Sequence, residues 1–421
     1  MRDCNSMLVL EKVTMDFVDE FYADKDLSLL KKLTLIIPTY NRNYYLSRGL
    51  WYHAHFPFGQ IIVADSSPEE KKVVNRETVA KIRERFGANI LYLEYEDIET
   101  KYGEHISKKW LDAIKHVETE FTHFCADKDF VVPTTVVDDI RCLEENGDYT
   151  ISSGGYEAIT NIDSVSLNAI YISLTYTDHQ SCLDDNPCDR LNNSYTPKYK
   201  AYVYSTFRTA TLYLLADLMH QYSVFDTRYG EAMYTVVPML YGKYIYRSDN
   251  RGHIRDDSMR VSIKGPTKES SSSRFPTIMD YERDPSLKHF YDNFKKCVAD
   301  TICKVSDLKI DDAEKFVDMN VRKGILAGYK TNYPSSVLSK IGDLSFVHML
   351  WCRTPKAVRR AGNLFTAKLF HHNLSTGDPV VYGDAVYSSD KSPEGIICNL
   401  IVKTINLHAY DSPIDILHIF N

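Results

Sequence analysis

Nothing in this chain approaches the roughly 18 consecutive apolar residues needed to span a bilayer. The N-terminus also lacks a basic start followed by an apolar core: Asp3, Glu11 and Asp16 interrupt its apolar residues, so it does not read as a signal peptide. Lysine and arginine form no stripe, and a net charge of −7 over 421 residues is mild, which counts against nucleic acid as the main partner. The nine cysteines include no CxxC and no pairing with histidine at ligand spacing. Cys182 with Cys188, or Cys297 with Cys303, can be written as bridges, but reduced thiols in a cytoplasmic protein are the expectation. Peripheral membrane contact is left open. The P-loop, the GxSxG nucleophile elbow, HExxH and the GxGxxG dinucleotide fingerprint are all missing. So are internal repeats and long low-complexity tracts. His371-His372 lacks partner ligands at zinc spacing.

What is present is a chain too long for one small core, with ordinary apolar content and 30 tyrosines. One large catalytic domain with an appendage, or two domains, is expected. From Lys31 to about Ala158, short β-rich runs alternate with helical patterns, which predicts a mostly parallel sheet covered by helices. The runs are Leu33 to Ile37, Gln60 to Ala64, Ile90 to Tyr95 and Phe121 to Ala126, and each stops in polar residues. Ile106, Trp110, Ala113, Ile114 and Val117 recur at helical spacing, as do Val136, Val137, Ile140 and Leu143. Farther on, Tyr149 to Ser153, Ala169 to Leu174 and Lys243 to Tyr246 read as strands, and Phe207 to Met219 and Tyr229 to Tyr241 as helices. Asp178 to Tyr199 reads as a loop, and Arg251 to Pro276 as a mobile one. After Pro285, apolar residues from Leu287 to Ile302, from Phe316 to Leu326 and from Val337 to Trp351 predict a mainly helical module. The expected division is 1–284, with a first half at about 31–160 and a second at about 161–260, followed by 285–421.

Asp127-Lys128-Asp129 follows the fourth run. Two carboxylates flanking one residue at a strand end can share a divalent cation, or divide between a cation and a ribose. Mg²⁺ and Mn²⁺ prefer oxygen ligands and usually keep phosphate among them, so such a pair suits a nucleotide diphosphate. In an open α/β sheet, ligands bind beyond the carboxyl ends of the strands. Thr39 to Arg42 and Asp65 to Ser67 fall at that same edge. The pairs Asp138-Asp139 and Asp184-Asp185 read as solvated acidic turns or helix faces.

Leu35-Ile-Ile-Pro-Thr-Tyr-Asn-Arg42, then Ile61-Ile-Val-Ala-Asp-Ser-Ser67, then Phe124-Cys-Ala-Asp-Lys-Asp-Phe-Val-Val-Pro133, in this order and spacing, resembles the nucleotide-sugar half of family 2-like glycosyltransferases with the GT-A fold. The likeness covers residues 33–160 well and 160–260 loosely. It implies an inverting, metal-dependent transfer of a sugar from a nucleotide donor, a UDP-sugar favoured, to a glycan or lipid-linked acceptor, in glycan or surface polysaccharide synthesis. It implies that Pro38, Thr39 and Tyr40 line the nucleotide pocket, that Arg42 approaches phosphate and that Asp65 meets a base edge. Asp127 would contact ribose or metal, Asp129 would be the more direct ligand of Mn²⁺ or Mg²⁺, and His253 would close the coordination. Lys108 is the basic residue kept for the diphosphate, Lys109 reading as a solvated helix face, and Arg251 and Arg255 would add charge from the loop. Glu231, near the start of a helix after the acceptor-side strands, would be the base, although the paired Glu-Asp common in the family is absent. Asp226 is its rival, and helix capping is the alternative for both.

Two other functions compete. A sugar-phosphate nucleotidyltransferase usually carries a Gly-rich loop after the first strand, and Pro38 to Arg42 has no glycine. A non-catalytic nucleotide-sugar-binding protein would keep the pocket without turnover. The last third of the chain resembles nothing nameable and would position an acceptor or mediate self-association.

Overall fold

The computed structural model describes residues 25–98, 100–161, 170–174, 179–196, 202–256 and 278–332. The first 24 residues, the helical pattern at 337–351 and His371-His372 therefore lie outside the described residues, as do residues 257–276 of the expected loop.

Four parallel strands open the fold: β1 (Leu33–Thr39), β2 (Gln60–Asp65), β3 (Ile90–Glu94) and β4 (Phe121–Phe124), side by side in the order β3-β2-β1-β4. Almost every residue of β1 and β2 is buried, as expected of a sheet with helices on both faces. The two-residue period of a strand divides β1 between two cores: Leu35 and Ile37 join Leu46, Leu50, Trp51 and Val79 on one face, and Ile36 joins Leu111, Ile114 and Phe124 on the other. The covering helices are α1 (Asn43–His53), α2 (Glu69–Phe86), α3 (Glu104–Ile114) and α4 (Pro133–Glu145). α2 begins with Glu69 and Glu70, which suit the positive end of its dipole, and ends at Gly87 with φ 64°, a left-handed cap that glycine adopts without strain.

Beyond β4 the sheet is mixed. β8 (Thr206–Arg208) lies antiparallel between β4 and β6 (Tyr149–Asn161), β9 (Lys243–Asp256) runs parallel to β6, and the short β5 (Phe130–Val131) runs antiparallel on β9. β7 (Ile170–Leu174) pairs with β6 outside this path. The result is a nine-stranded α/β sheet in the order β3-β2-β1-β4-β8-β6-β9-β5, the fold class expected from the sequence, with the parallel arrangement confined mainly to its first half.

Three sequence expectations are corrected. The presumed loop from Asp178 contains helix α5 (Pro187–Tyr195), whose start is set by Asn186: its side chain accepts from the amides of Cys188 and Asp189, and proline follows it. Phe207 and Arg208 are strand, and helix α6 runs from Thr209 to Tyr222. Arg251 to Asp256 are also strand, because β9 continues past a register jump from Gly154↔Arg247 to Gly155↔Arg251. A Cβ on Gly252 would stand 3.1 Å from the Gly154 backbone, so glycine permits this close pairing.

Helix α7 (Tyr229–Tyr241) precedes β9. After it come α8 (Ile278–Arg283), α9 (Lys288–Val305) and α10 (Ile310–Phe316), then a π-helical turn (Val317–Arg322) leading into α11 (Lys323–Asn332). The helices expected near 287–302 and 316–326 are present. Phe290, Phe294, Val298 and Ile302 belong to the same buried cluster as Leu215, Met219 and Met233. No helix of the described residues is long and apolar enough to cross a membrane. All six described cysteines are free thiols.

Candidate functional site

Because β1, β2 and β4 are parallel, their carboxyl ends share one edge. Thr39 lies in register with Asp65, and the amide of Cys125 bonds Ile36 O at 2.9 Å, carrying the β1–β4 pairing to the threshold of Asp127. The turn that follows is closed by the Asp129 amide on Ala126 O at 2.9 Å. It rests on α1, where the buried Arg48 donates to Lys128 O at 3.0 Å and a Cβ on Gly49 would stand 3.1 Å from Asp127 O. Neither residue carries a sequence signal for this role.

Asp127 and Asp129 are both buried and differ in environment. The Asp127 carboxylate accepts from Thr39 Oγ1 at 2.9 Å and from Arg42 Nη1 at 3.2 Å. Burial pushes its carboxyl up, and Arg42 and Thr39 only partly offset this. Burial acts on Asp129 as well, but Lys128, His253 and Arg255 outweigh it and hold that carboxyl below its ordinary value. Asp129 is therefore ionised at neutral pH. Its Oδ2 lies 3.1 Å from His253 Nε2, which donates. Its buried Oδ1 accepts no hydrogen bond and lies 3.4 Å from Lys128 Nζ.

An ionised carboxylate oxygen without a hydrogen bond is a hard donor suited to Mg²⁺ or Mn²⁺. Among the described residues, no group of three or more His, Cys, Asp or Glu is arranged to hold a metal. These residues thus fit a cation bound through Asp129 with the remaining positions filled by ligand oxygens, rather than a cage made by the protein. Both Asp127 oxygens are engaged, and His253 Nε2 faces Asp129. The His253 ring stacks on Tyr204 (4.6 Å, 25°), Tyr156 (5.0 Å, 11°) and His123 (5.8 Å, 14°).

Near the end of β1 Pro38 is half-buried, as is Tyr40 just after it, and the chain turns at Asn41, whose φ of 53° is unusual outside glycine but tolerated by asparagine. The Asn41 amide bonds Ser67 Oγ at 2.8 Å. Asp65 is sealed within the end of β2, accepting from Ser67 N at 2.7 Å, Asn75 Nδ2 at 2.7 Å and Tyr92 OH at 2.6 Å. Three donors thus occupy most of its acceptor capacity.

The structure corrects the reading of Lys109. Lys109 is buried, with Nζ 3.0 Å from Thr39 O and 2.8 Å from Ser66 Oγ, so it ties the ends of β1 and β2 together. Burial pushes its ammonium down to about 8, against the pull of Asp65 and Asp127. Lys108 is exposed, its ammonium 5.2 Å from the centre of the Phe225 ring. Trp110 stacks on Phe124 at 5.1 Å.

Glu231 lies in the first turn of α7. That turn packs on the start of α3: Thr227 N bonds Tyr102 O at 3.1 Å, and a Cβ on Gly230 would meet Ser107 Oγ at 3.0 Å. Glu231 is open to solvent yet crowded by protein. The crowding pushes its carboxyl up, against the influence of Arg228. Asp226 is fully buried and shapes the turn by accepting the amides of Arg228 at 2.9 Å and Tyr229 at 3.0 Å, and burial pushes it up to about 6. Tyr204 lies within electrostatic reach of both Asp129 and Glu231. Arg255 stands two residues beyond His253 in β9, and the Arg251 side chain lies outside the described residues.

Asp139 is not on a solvated face. It is buried, accepts from Ser152 Oγ at 2.6 Å and Thr206 Oγ1 at 3.0 Å, and pairs with Arg247. Thr206 Oγ1 also lies 3.2 Å from His123 Nδ1. Burial pushes the Asp139 carboxyl up to about 6. Asp184 and Asp185 are exposed, as expected.

The fold is α/β, with the conjunction of carboxylates and cations at the end of its parallel half. No protein-family model matches the chain, and no curated protein matches it. Among solved structures it is similar to S. aureus TarS 1–349, with 16% identity and a TM-score of 0.45 over 73% of this chain and 77% of that one. It is similar to the same TarS fragment in complex with UDP-GlcNAc, with 16% identity and a TM-score of 0.47 over 74% and 76%. A third similar structure is the mannosyltransferase PcManGT from Pyrobaculum calidifontis in complex with GDP-Man and Mn²⁺, with 11% identity and a TM-score of 0.35 over 87% and 98%. At these identities the likeness assigns no role to any residue here.

Proposed function

We propose that this chain is a metal-dependent, inverting glycosyltransferase that moves a sugar from a nucleotide diphosphate donor, a UDP-sugar first among them, to a hydroxyl of a glycan or lipid-linked acceptor. The observation that carries this reading is the buried, ionised Asp129, whose Oδ1 accepts no hydrogen bond at the edge where β1, β2 and β4 end. Asp129 would hold the cation, and His253, donating to Oδ2, would keep the carboxylate oriented. A bound Mn²⁺ or Mg²⁺ would neutralise the charge that develops on the departing nucleoside diphosphate.

The remaining work falls to the chain's own groups. The segment Pro38 to Arg42 at the end of β1 and the turn at Ser66 and Ser67 would receive the nucleotide, with Asp127 oriented by Thr39 and Arg42 toward the ribose. Lys109 would hold that receptor in shape from below, and Arg42 and Arg255 would face the diphosphate, with Lys108 an outer contributor. Glu231 would take the proton of the acceptor hydroxyl as its oxygen attacks the anomeric carbon. A carboxyl raised by crowding is a stronger base than one in free solution. Glycan or surface polysaccharide synthesis in the cytoplasm is the proposed setting, on the resemblance of the three sequence segments.

A thermal-shift screen of UDP-, GDP-, CMP- and dTDP-sugars with and without Mn²⁺ tests the site, because a ligand that binds only the folded state raises apparent stability. The expected result is stabilisation by one nucleotide class only when Mn²⁺ is present. No shift with any donor would overturn the proposal.

A further inference from the structure

We propose that Tyr204 positions the transferred sugar, its phenol hydroxyl donating a hydrogen bond to a sugar hydroxyl between the cation side and the base side of the cleft. This rests on the glycosyltransferase reading above. β8 is antiparallel to β4, with Thr206 opposite His123, so the chain enters β8 from the edge at which β4 delivers Asp127. Tyr204, two residues before Thr206, therefore arrives beside the turn that carries the two aspartates.

Its ring is held in place by stacking on His253 at 4.6 Å and 25°, with Tyr156 tilted against it at 5.8 Å. His253 is in turn bonded to Asp129, so the orientation of the phenol is linked to that of the cation-side carboxylate. Tyr204 is half-buried, and its hydroxyl makes no hydrogen bond to a described residue. A phenol is protonated at neutral pH, so it is available as a donor, and Asp129 and Glu231 both lie within electrostatic reach of it. Asp129 marks the diphosphate side and Glu231 the attacking hydroxyl. What lies between them in the reacting complex is the sugar, whose hydroxyls accept hydrogen bonds.

Tyr204→Phe keeps the ring and its stack on His253 and removes only the O–H. Calorimetric titration of wild type and Y204F, with Mn²⁺, would use UDP and GDP alongside UDP-glucose, UDP-N-acetylglucosamine and GDP-mannose. The expected result is unchanged affinity for the free nucleotide, about fivefold to tenfold weaker binding of its sugar conjugate, and a larger fall in nucleotide release from that conjugate. Equal binding and turnover of the conjugate by both proteins would overturn the inference and leave the site reading standing. Equal weakening of nucleotide and conjugate would show a role exerted only through His253, and would overturn it too. Failure of wild type to bind any nucleotide with Mn²⁺ would remove the glycosyltransferase reading itself.

Discussion

Lys109→Met exchanges a buried ammonium for an apolar chain of similar length, and the structure sets the size of the effect. Folding lowers the ammonium from its ordinary 10.5 to about 8, which corresponds to a cost of about 3 kcal/mol for carrying this charge in the folded state at pH 7. Against it stand two hydrogen bonds, to Thr39 O and Ser66 Oγ, worth about 2 kcal/mol together. The Met variant is thus expected to be more stable than wild type by about 1 kcal/mol at pH 7 while binding nucleotide more weakly. Below pH 8 the lysine is charged in both states, so the cost is fully present. Between pH 8 and 10.5 the unfolded chain binds one more proton than the folded one, so wild type gains stability as pH rises. Urea unfolding of both proteins at pH 7, 8, 9 and 10 measures the difference directly. The wild type should overtake the variant within this window. A wild-type-minus-variant difference that stays flat from pH 7 to 10 would refute the assignment of a depressed ammonium beneath the strand ends.

Three further outcomes are expected. Asp129→Asn keeps an oxygen for His253 and should fold normally, but stabilisation of the protein by nucleotide with Mn²⁺ should vanish; its survival in a thermal-shift assay would rule out Asp129 as the cation ligand. Glu231→Gln should lower transfer by about 100-fold to 10,000-fold with metal-dependent nucleotide binding intact, and should abolish the acid limb of the rate profile, which in wild type lies above the ordinary carboxylate range. A steady-state rate near that of wild type would exclude it as the base. Asp139→Ala leaves Arg247, Ser152 and Thr206 without their buried partner and should cost about 3 to 5 kcal/mol in denaturant unfolding; a loss below about 1 kcal/mol would mean that water replaces the carboxylate.

Local order in the chain was enough for the first half of the fold. The runs at Leu33, Gln60, Ile90 and Phe121 are short, mostly apolar and bounded by polar residues, and each is a strand of the parallel sheet. The same periodicity located α3, α4, α7 and α9. It missed β8 because three residues show no period, and α5 because a short amphipathic turn was masked by its polar composition, although Asn186-Pro187 was a legible start signal. The tail of β9 read as loop because its strand character comes from pairing with β6 and β5, not from its own residues.

By itself the sequence determined that Thr39, Asp65 and Asp127 to Asp129 would meet at one sheet edge, since parallel strands must end on the same side. Tertiary structure decided which charges at that edge are buried and by what they are balanced. Lys108 and Lys109 are neighbours of identical chemistry, and only the packing of α3 under β1 and β2 makes one a buried tie and the other a surface group. Asp127 and Asp129 are likewise equivalent as letters. The second is held below its ordinary value by its neighbour Lys128 together with His253 and Arg255, which β9 brings from far along the chain, and one of its oxygens accepts no hydrogen bond. Burial and partnership are sums over segments remote in sequence, and no local pattern encodes them.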